Sequence, residues 1–138
     1  MIQLEIYGRP VTCNSTKYTN RNNSNHYFNP KQKQIDQAKW QLKAQFNRPI
    51  IKGPVEIKVH YFFHIPKSTS FIKRKQMLAN IIKHDKYPDT DRCTNFLKDC
   101  LKKVVVEDDK LIWHEDCYKY WCNSEKDEKT LIYLYQDK

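Results

Sequence analysis

The chain has 138 residues and a formal net charge of +9, and it contains no apolar run long enough for a transmembrane helix. This length predicts one domain spanning residues 1–138, and the absence of a signal-peptide pattern at its start predicts a cytoplasmic protein. The five cysteines, an odd number without a secretion signal, argue against a disulfide-stabilised scaffold.

Charge is unevenly distributed along the sequence. Residues 1–88 carry 16 Lys and Arg against 4 Asp and Glu, whereas residues 89–138 carry 9 against 12. A basic body beside an acidic segment favours a protein that attracts polyanions such as nucleic acids and collects cations in one place. A surface charged only for solubility is the alternative.

A strand, a polar loop and a helix are predicted first along the chain. Residues 2–7 alternate apolar and polar side chains, as in a half-buried strand. Residues 12–28 are predicted to form the long polar loop, in which Asn14 and Lys17 are candidate DNA contacts, and plain disorder is the alternative. Asn29-Pro30 predicts a helix start, with a capping side chain before a proline. The apolar stripe of this helix consists of Ile35, Ala38, Leu42 and Phe46.

A second strand and a basic helix are predicted next. Residues 55–63 alternate in polarity, and His60 and His64, without a carboxylate nearby in the sequence, are interpreted as surface or edge residues. Residues 68–80 predict a helix with an apolar half and a basic half. The candidate DNA-binding cations of this region are Lys73, Arg74, Lys75 and Lys86, and a solvated helix face is the alternative interpretation.

The helix predicted from Asp91 to Lys103 has two distinct arcs. Its polar arc starts at Asp91 and includes Asn95, Lys98 and Asp99. The opposite, apolar arc consists of Cys93, Phe96, Leu97, Cys100 and Leu101.

Three strands are predicted after this helix. Val104 to Val106 predict a short buried strand, a further strand is expected from about Leu111, and a last one from Thr130 to Tyr135. The whole pattern predicts an α+β fold, with a mixed, mostly antiparallel sheet of about five strands and helices packed against it.

Two acidic turns predict a metal site. Asp89 and Asp91 are separated by one residue, and Asp109, preceded by Asp108, lies 18 residues after Asp91. Carboxylates brought together repel one another unless a cation binds, and an all-oxygen ligand set favours Mg²⁺, with Mn²⁺ as a substitute. Such ions catalyse phosphodiester hydrolysis, in which Lys98 adds positive charge near the transition state.

A zinc site is the weaker alternative. His114, Cys117 and Cys122 are residue types that bind zinc, but a fourth ligand at a suitable spacing is missing. The segment also alternates in polarity like a strand.

The acidic turns also carry a family resemblance. The sequence contains Pro88-Asp89-Thr90-Asp91, then Asp99-x-Leu101, then Asp108-Asp109-x-x-Ile112. This order resembles the motif P-D-x-D-N-x-x-K-x-x-x-D-x-L followed by D-D-x-x-I in the RusA family of Holliday-junction resolvases, particularly its phage-encoded members. Upstream, residues 65–70 and the basic helix look like the family's P-x-S-x-S-K-K-K-R segment.

The resemblance implies a homodimeric, Mg²⁺-dependent endodeoxyribonuclease that binds four-way DNA junctions and nicks two strands symmetrically. It implies that Asp89, Asp91 and Asp109 are essential metal-binding carboxylates, with Asp108 as a neighbour and Asp99 as the helix acid.

The sequence departs from the family motif at three positions, of which one, Lys103 in place of the glycine usual before the strand, matters less. Arg92 stands where the family has asparagine, and Asn95 stands where it has a catalytic or phosphate-binding lysine. Lys98, one turn further along the same helix face, is expected to substitute for that lysine, and Arg92 to add phosphate binding. Two alternatives stay open: a weak or inactive relative that binds branched DNA or a DNA-processing partner, and a basic interaction protein whose acidic cluster binds calcium or nothing.

Overall fold

The computed structural model describes residues 1–12, 17–21, 24–28 and 31–136, with the backbone alone for residues 17–28 within those ranges. The strands are β1 (Ile2–Tyr7), β2 (Lys17–Arg21), β3 (Ser24–Phe28), β4 (Val55–His64), β5 (Ile112–Cys122) and β6 (Lys129–Gln136). The helices are α1 (Gln32–Gln45), α2 (Phe71–Leu78) and α3 (Thr90–Leu101), with short 3-10 turns at Asp109–Leu111 and Glu125–Asp127.

The main sheet has four strands in the order β1-β6-β4-β5. Pairs β1–β6 and β6–β4 are antiparallel, whereas β4 and β5 are parallel. Two parallel strands need a crossover, and α2 and α3 lie within it. The predicted α+β class with a mixed sheet is therefore confirmed, with four strands rather than five. None of the helices in the described ranges is long and apolar enough to cross a membrane.

Helices α1 and α3 cover one face of the sheet. The predicted stripe of α1, from Ile35 to Phe46, is buried, and so is the predicted apolar arc of α3. On β4 the alternate side chains from Val55 to Phe63 point into this core. Gln41 and Gln45 of α1 fasten the helix to β1, because their side-chain oxygens accept the backbone N–H groups of Tyr7 and Glu5 at 2.8 Å. Burial of these apolar surfaces provides the main stabilisation of the layer.

The predicted polar loop is wrong in part, because residues 17–28 contain the antiparallel pair of β2 and β3. The predicted helix start at Asn29-Pro30 lies outside the described residues. The described helix begins at Gln32.

The predicted strand at Val104–Val106 is also wrong. After α3 ends, Lys103 takes a positive φ of 70°, and the backbone N–H groups of Val105 and Val106 both donate to the Leu101 carbonyl. The segment is a tight turn that inserts two fully buried valines into the core. Valine favoured the strand prediction through its β propensity, but packing at a helix end determines the conformation here.

The two histidines of β4 lie on an inner strand of the sheet and are half-buried, so of the predicted surface or edge position the edge alternative is wrong. His64 Nδ1 lies 3.0 Å from the buried Glu128 carboxylate, which also accepts the His64 backbone N–H at 3.1 Å. His60 packs among aromatic rings on the sheet face away from the helices, with Tyr120 at 5.0 Å between ring centroids. The partner of His64 is 64 residues away in sequence, so local reading could not detect it.

Candidate active site

The start of α3 presents two of the predicted carboxylates to solvent. Asp89 is the residue before the helix and Asp91 lies in its first turn, and both are exposed. Acidic side chains are favourable at this end because the unpaired N–H groups carry partial positive charge. The guanidinium of Arg92 lies 3.9 Å from the Asp89 carboxylate, so a positively charged side chain stands beside Asp89 and Asp91.

One face of α3 lies against β5, and polar side chains of the helix contact polar side chains of the strand there. Thr94 is buried, and its hydroxyl lies 2.8 Å from the hydroxyl of Tyr61 and 3.1 Å from the sulfur of Cys117. One turn further along, Lys98 Nζ forms an ion pair with Glu115 at 2.8 Å. Since Asp91 precedes Thr94 by three residues, it belongs to the same helix face.

Alternation along β5 explains which residues reach this face. Glu115, Cys117 and Lys119 occupy alternate positions of β5 and pair in register with the inward-facing residues of β4. Burial raises the pKa of the Cys117 thiol above its usual value, so this group is a neutral packing contact at physiological pH.

Lys119 fastens the turn that carries the acidic residues. Its ammonium donates to the backbone carbonyls of Lys86 at 2.7 Å and Pro88 at 3.0 Å. Two charge-assisted hydrogen bonds therefore fix the backbone immediately before Asp89.

The second acidic turn follows the tight valine turn. Asp108 caps the 3-10 turn that begins at Asp109, and its carboxylate accepts the backbone N–H of Lys110 at 3.1 Å. This hydrogen bond is the largest cause that lowers the pKa of Asp108, so the residue is ionised at neutral pH.

The donor chemistry of both turns fits a hard divalent cation, since all four groups are carboxylates. Within the described ranges, however, no three His, Cys, Asp or Glu side chains form a group that could hold one metal ion. Asp89, Asp91 and Asp109 are thus not assembled into a three-ligand set in this chain by itself. The magnesium site stays a prediction.

Of the other predicted site residues, some are described by the structure and two lie wholly or partly outside the described residues. Arg92 and Asn95 are exposed on α3 near the acidic turn, and Asp99 is half-buried on the same helix. Lys86 is exposed, with its ammonium 3.8 Å from Asp85. Asn14 lies outside the described residues, and so does the side chain of Lys17.

The three cations of the basic helix α2 have different environments. Arg74 donates to the backbone and side-chain oxygens of Asn123, both at 3.1 Å, so it holds α2 against the end of β5. Lys73 and Lys75 are exposed and available to an anion. The predicted apolar half of α2 is largely exposed too, with Met77 as its buried residue.

The zinc alternative finds no support in the strand geometry. His114 and Cys122 lie on the face of β5 away from the helices, whereas Cys117 lies on the other face. His114 instead contacts Glu56 at 3.4 Å and Asp116 at 3.3 Å.

Sequence reasoning missed Thr94, Glu115 and Lys119. The period-two pattern of β5 does group Glu115 with Lys119, but the direction of that face depends on its parallel pairing with β4. That pairing joins residues about 60 positions apart in sequence, as in Val59 opposite Cys117, and no local signal encodes it.

Replacing Lys119 by methionine should loosen the acidic turn while preserving the aliphatic stem. Loss of two hydrogen bonds from a charged donor is expected to make amide hydrogen exchange in residues 85–90 about tenfold faster. Mass spectrometry of exchanged peptides measures this, with α1 as the internal reference and Lys126→Met, at an exposed turn, as the matched control. Unchanged exchange in residues 85–90 would mean that Lys119 does not hold the turn.

Comparison with known proteins agrees with the motif. Residues 8–128 match the sequence profile of the family Endodeoxyribonuclease RusA, a range that includes both acidic turns. The chain is also 30% identical over 115 residues to the uncharacterized protein YqaN of Bacillus subtilis (strain 168), covering 80% of this chain and 81% of that protein. The resemblance found in the motif is therefore confirmed, and the chain belongs to the RusA endodeoxyribonuclease family.

Proposed function

We propose that this protein is a structure-selective endodeoxyribonuclease that resolves four-way DNA junctions by Mg²⁺-dependent hydrolysis, in recombination and repair. The observation that carries the proposal is the exposed pair Asp89 and Asp91 at the start of α3, on a turn fixed by Lys119. A rigid turn with solvent-facing carboxylates suits a site that must receive a DNA phosphate from outside.

Asp89, Asp91 and Asp109 would hold the ion, with Asp108 beside them, and the chemistry of such an ion is activation of water and stabilisation of the leaving oxygen. Arg92, whose guanidinium lies 3.9 Å from Asp89, would bind a phosphate next to this carboxylate. Lys73 and Lys75 add sequence-independent attraction to the DNA backbone.

Lys98 is proposed to replace the lysine that the family motif has at the position of Asn95. Its ammonium is held by Glu115 at 2.8 Å on the face shared with Asp91, so its position is defined before DNA binds. A positioned cation stabilises charge that develops on the phosphate.

The same ion pair favours a second candidate function, a relative that binds branched DNA and cleaves it weakly or not at all. Glu115 neutralises part of the charge of Lys98, and Asn95 offers no cation of its own. A site with metal ligands but a compensated lysine retains binding more readily than turnover.

We further propose that the protein acts as a homodimer. Symmetric nicks in two strands of one junction require two active sites related by a two-fold axis.

A cleavage assay with labelled DNA distinguishes these functions. The protein is mixed with a four-way junction or with a linear duplex of matching sequence, at several Mg²⁺ and Mn²⁺ concentrations. We expect paired nicks in two junction strands, no nicks in the duplex, and none without a divalent ion.

Each other outcome has a definite meaning. Tight junction binding without nicks at any metal concentration supports the inactive relative. Equally poor binding of junction and duplex at low salt contradicts both DNA-directed functions.

A further inference from the structure

An open groove lies directly beside the acidic turn. It has a volume of about 360 Å³ and is enclosed by the segment after β1, the start of α1 and the residues just before Asp89. The lining residues that matter for binding are Arg9, Thr12, Lys31, Gln34, Tyr87 and Pro88. Such a volume falls within the range of sites for small organic ligands.

Tyr87 presents an aromatic ring to solvent in a defined orientation. The residue is 62% exposed, yet its hydroxyl lies 3.4 Å from the hydroxyl of Thr12. This contact, with help from Arg92, lowers the pKa of the Tyr87 phenol. The ring is therefore held through its polar end while its face stays open.

Two cations and an amide line the same groove as this ring, and none of the lining residues in the described part of the chain is acidic. The guanidinium of Arg9 is held by the buried Glu128 carboxylate at 3.2 Å and remains half-exposed. Lys31 lies on the α1 side and Gln34 one turn further, where its amide offers both a donor and an acceptor. An open aromatic face beside positive charge is the arrangement that binds unpaired bases.

We propose that this groove binds one unpaired deoxynucleotide of a branched DNA, next to the phosphate that is cleaved. Its base stacks on Tyr87, its phosphate faces Arg9 and Lys31, and Gln34 contacts the base edge. Tyr87 precedes Asp89 by two residues, so the two Cα atoms are at most about 7 Å apart, within reach of neighbouring nucleotides. The inference rests on the proposed function, since it assigns a subsite to the same DNA.

DNA binding by Tyr87 variants tests the stacking. Fluorescence anisotropy is measured in Ca²⁺ with a junction that carries an unpaired nucleotide at the branch point, and with a linear duplex. Tyr87→Ala should weaken binding of the branched DNA about 5- to 150-fold, the usual effect of removing one base-stacking ring, with little change for the duplex. Tyr87→Phe keeps the stacking ring and loses only the 3.4 Å contact with Thr12, so it should keep most of the wild-type affinity. Tyr7→Ala, at an exposed tyrosine of β1, is the matched control.

Two results would overturn the groove assignment. One is equal weakening for branched and linear DNA in Tyr87→Ala, which would make the ring a general contact. The other is Tyr87→Phe as weak as Tyr87→Ala, which would assign the effect to the hydroxyl rather than to stacking.

A crosslinking experiment separates failure of the groove from failure of the proposed function. A short single-stranded oligonucleotide containing 5-iododeoxyuridine is irradiated with the protein, and the crosslinked peptide is sequenced. A crosslink at Tyr87 supports the groove even if the protein binds no junction. A crosslink elsewhere, or none, contradicts it whatever the cleavage assay shows.

Discussion

Replacing Asp91 by asparagine should lower Mg²⁺-dependent cleavage of a four-way junction more than about 100-fold, because even residues that only support metal ligands contribute 10- to 100-fold. The substitution preserves shape and removes the charge that the ion requires. Asp91 is exposed in the first turn of α3, so little packing is lost. Junction affinity, measured by anisotropy, should be nearly unchanged or slightly higher.

Asp36→Asn provides the matched control for this variant. Asp36 is an exposed acid of α1 that pairs with Gln32, and its replacement changes the net charge equally. If both variants cleave like the wild type, Asp91 holds no catalytic ion. If both lose cleavage alike, net charge rather than the site is responsible.

Replacing Lys98 by alanine should lower the single-turnover cleavage rate about 100-fold, as expected for removal of one positioned transition-state cation. Loss of its partly exposed ion pair with Glu115 should cost no more than about 1 kcal/mol of stability, so the variant folds. Junction affinity should fall much less than the rate, because the basic residues elsewhere remain.

Glu115→Gln and Lys43→Ala complete this test. Glu115→Gln releases the ammonium from its partner, so it should retain much more activity than Lys98→Ala. Lys43→Ala removes an exposed lysine of α1 and should behave like the wild type. Cleavage rates unchanged in Lys98→Ala would exclude Lys98 from the mechanism and favour a different cation, such as Arg92.

Helix faces and the central strand could be predicted because their burial follows a local period. The stripe from Ile35 to Phe46 repeats at helical spacing, and the α3 wheel separated Cys93 and Leu97 from Asp91 correctly. Residues 55–63 alternate at the period of a strand with one buried face. In each case the residues that are buried in the structure are the apolar residues that repeat periodically in the sequence.

Contacts between residues that are far apart in the sequence could not be predicted, because they leave no local periodic pattern. Lys98 meets Glu115 only because α3 crosses back over a parallel pair of strands, and Lys119 reaches the carbonyls of Lys86 and Pro88 through the same crossover. The carboxylates that dominate the prediction were visible in the motif. The groups that hold their turn in place were not.

Iron-directed cleavage of the protein backbone tests most directly where the divalent ion binds. Fe²⁺ replaces Mg²⁺, ascorbate and peroxide generate radicals at the ion, and mass spectrometry locates the breaks. We predict breaks near residues 89–91 and 108–109 in the wild type, suppressed by excess Mg²⁺ and absent in Asp91→Asn. Breaks centred instead on His114, which contacts Glu56 and Asp116 on the opposite face of the sheet, would contradict the proposed metal site.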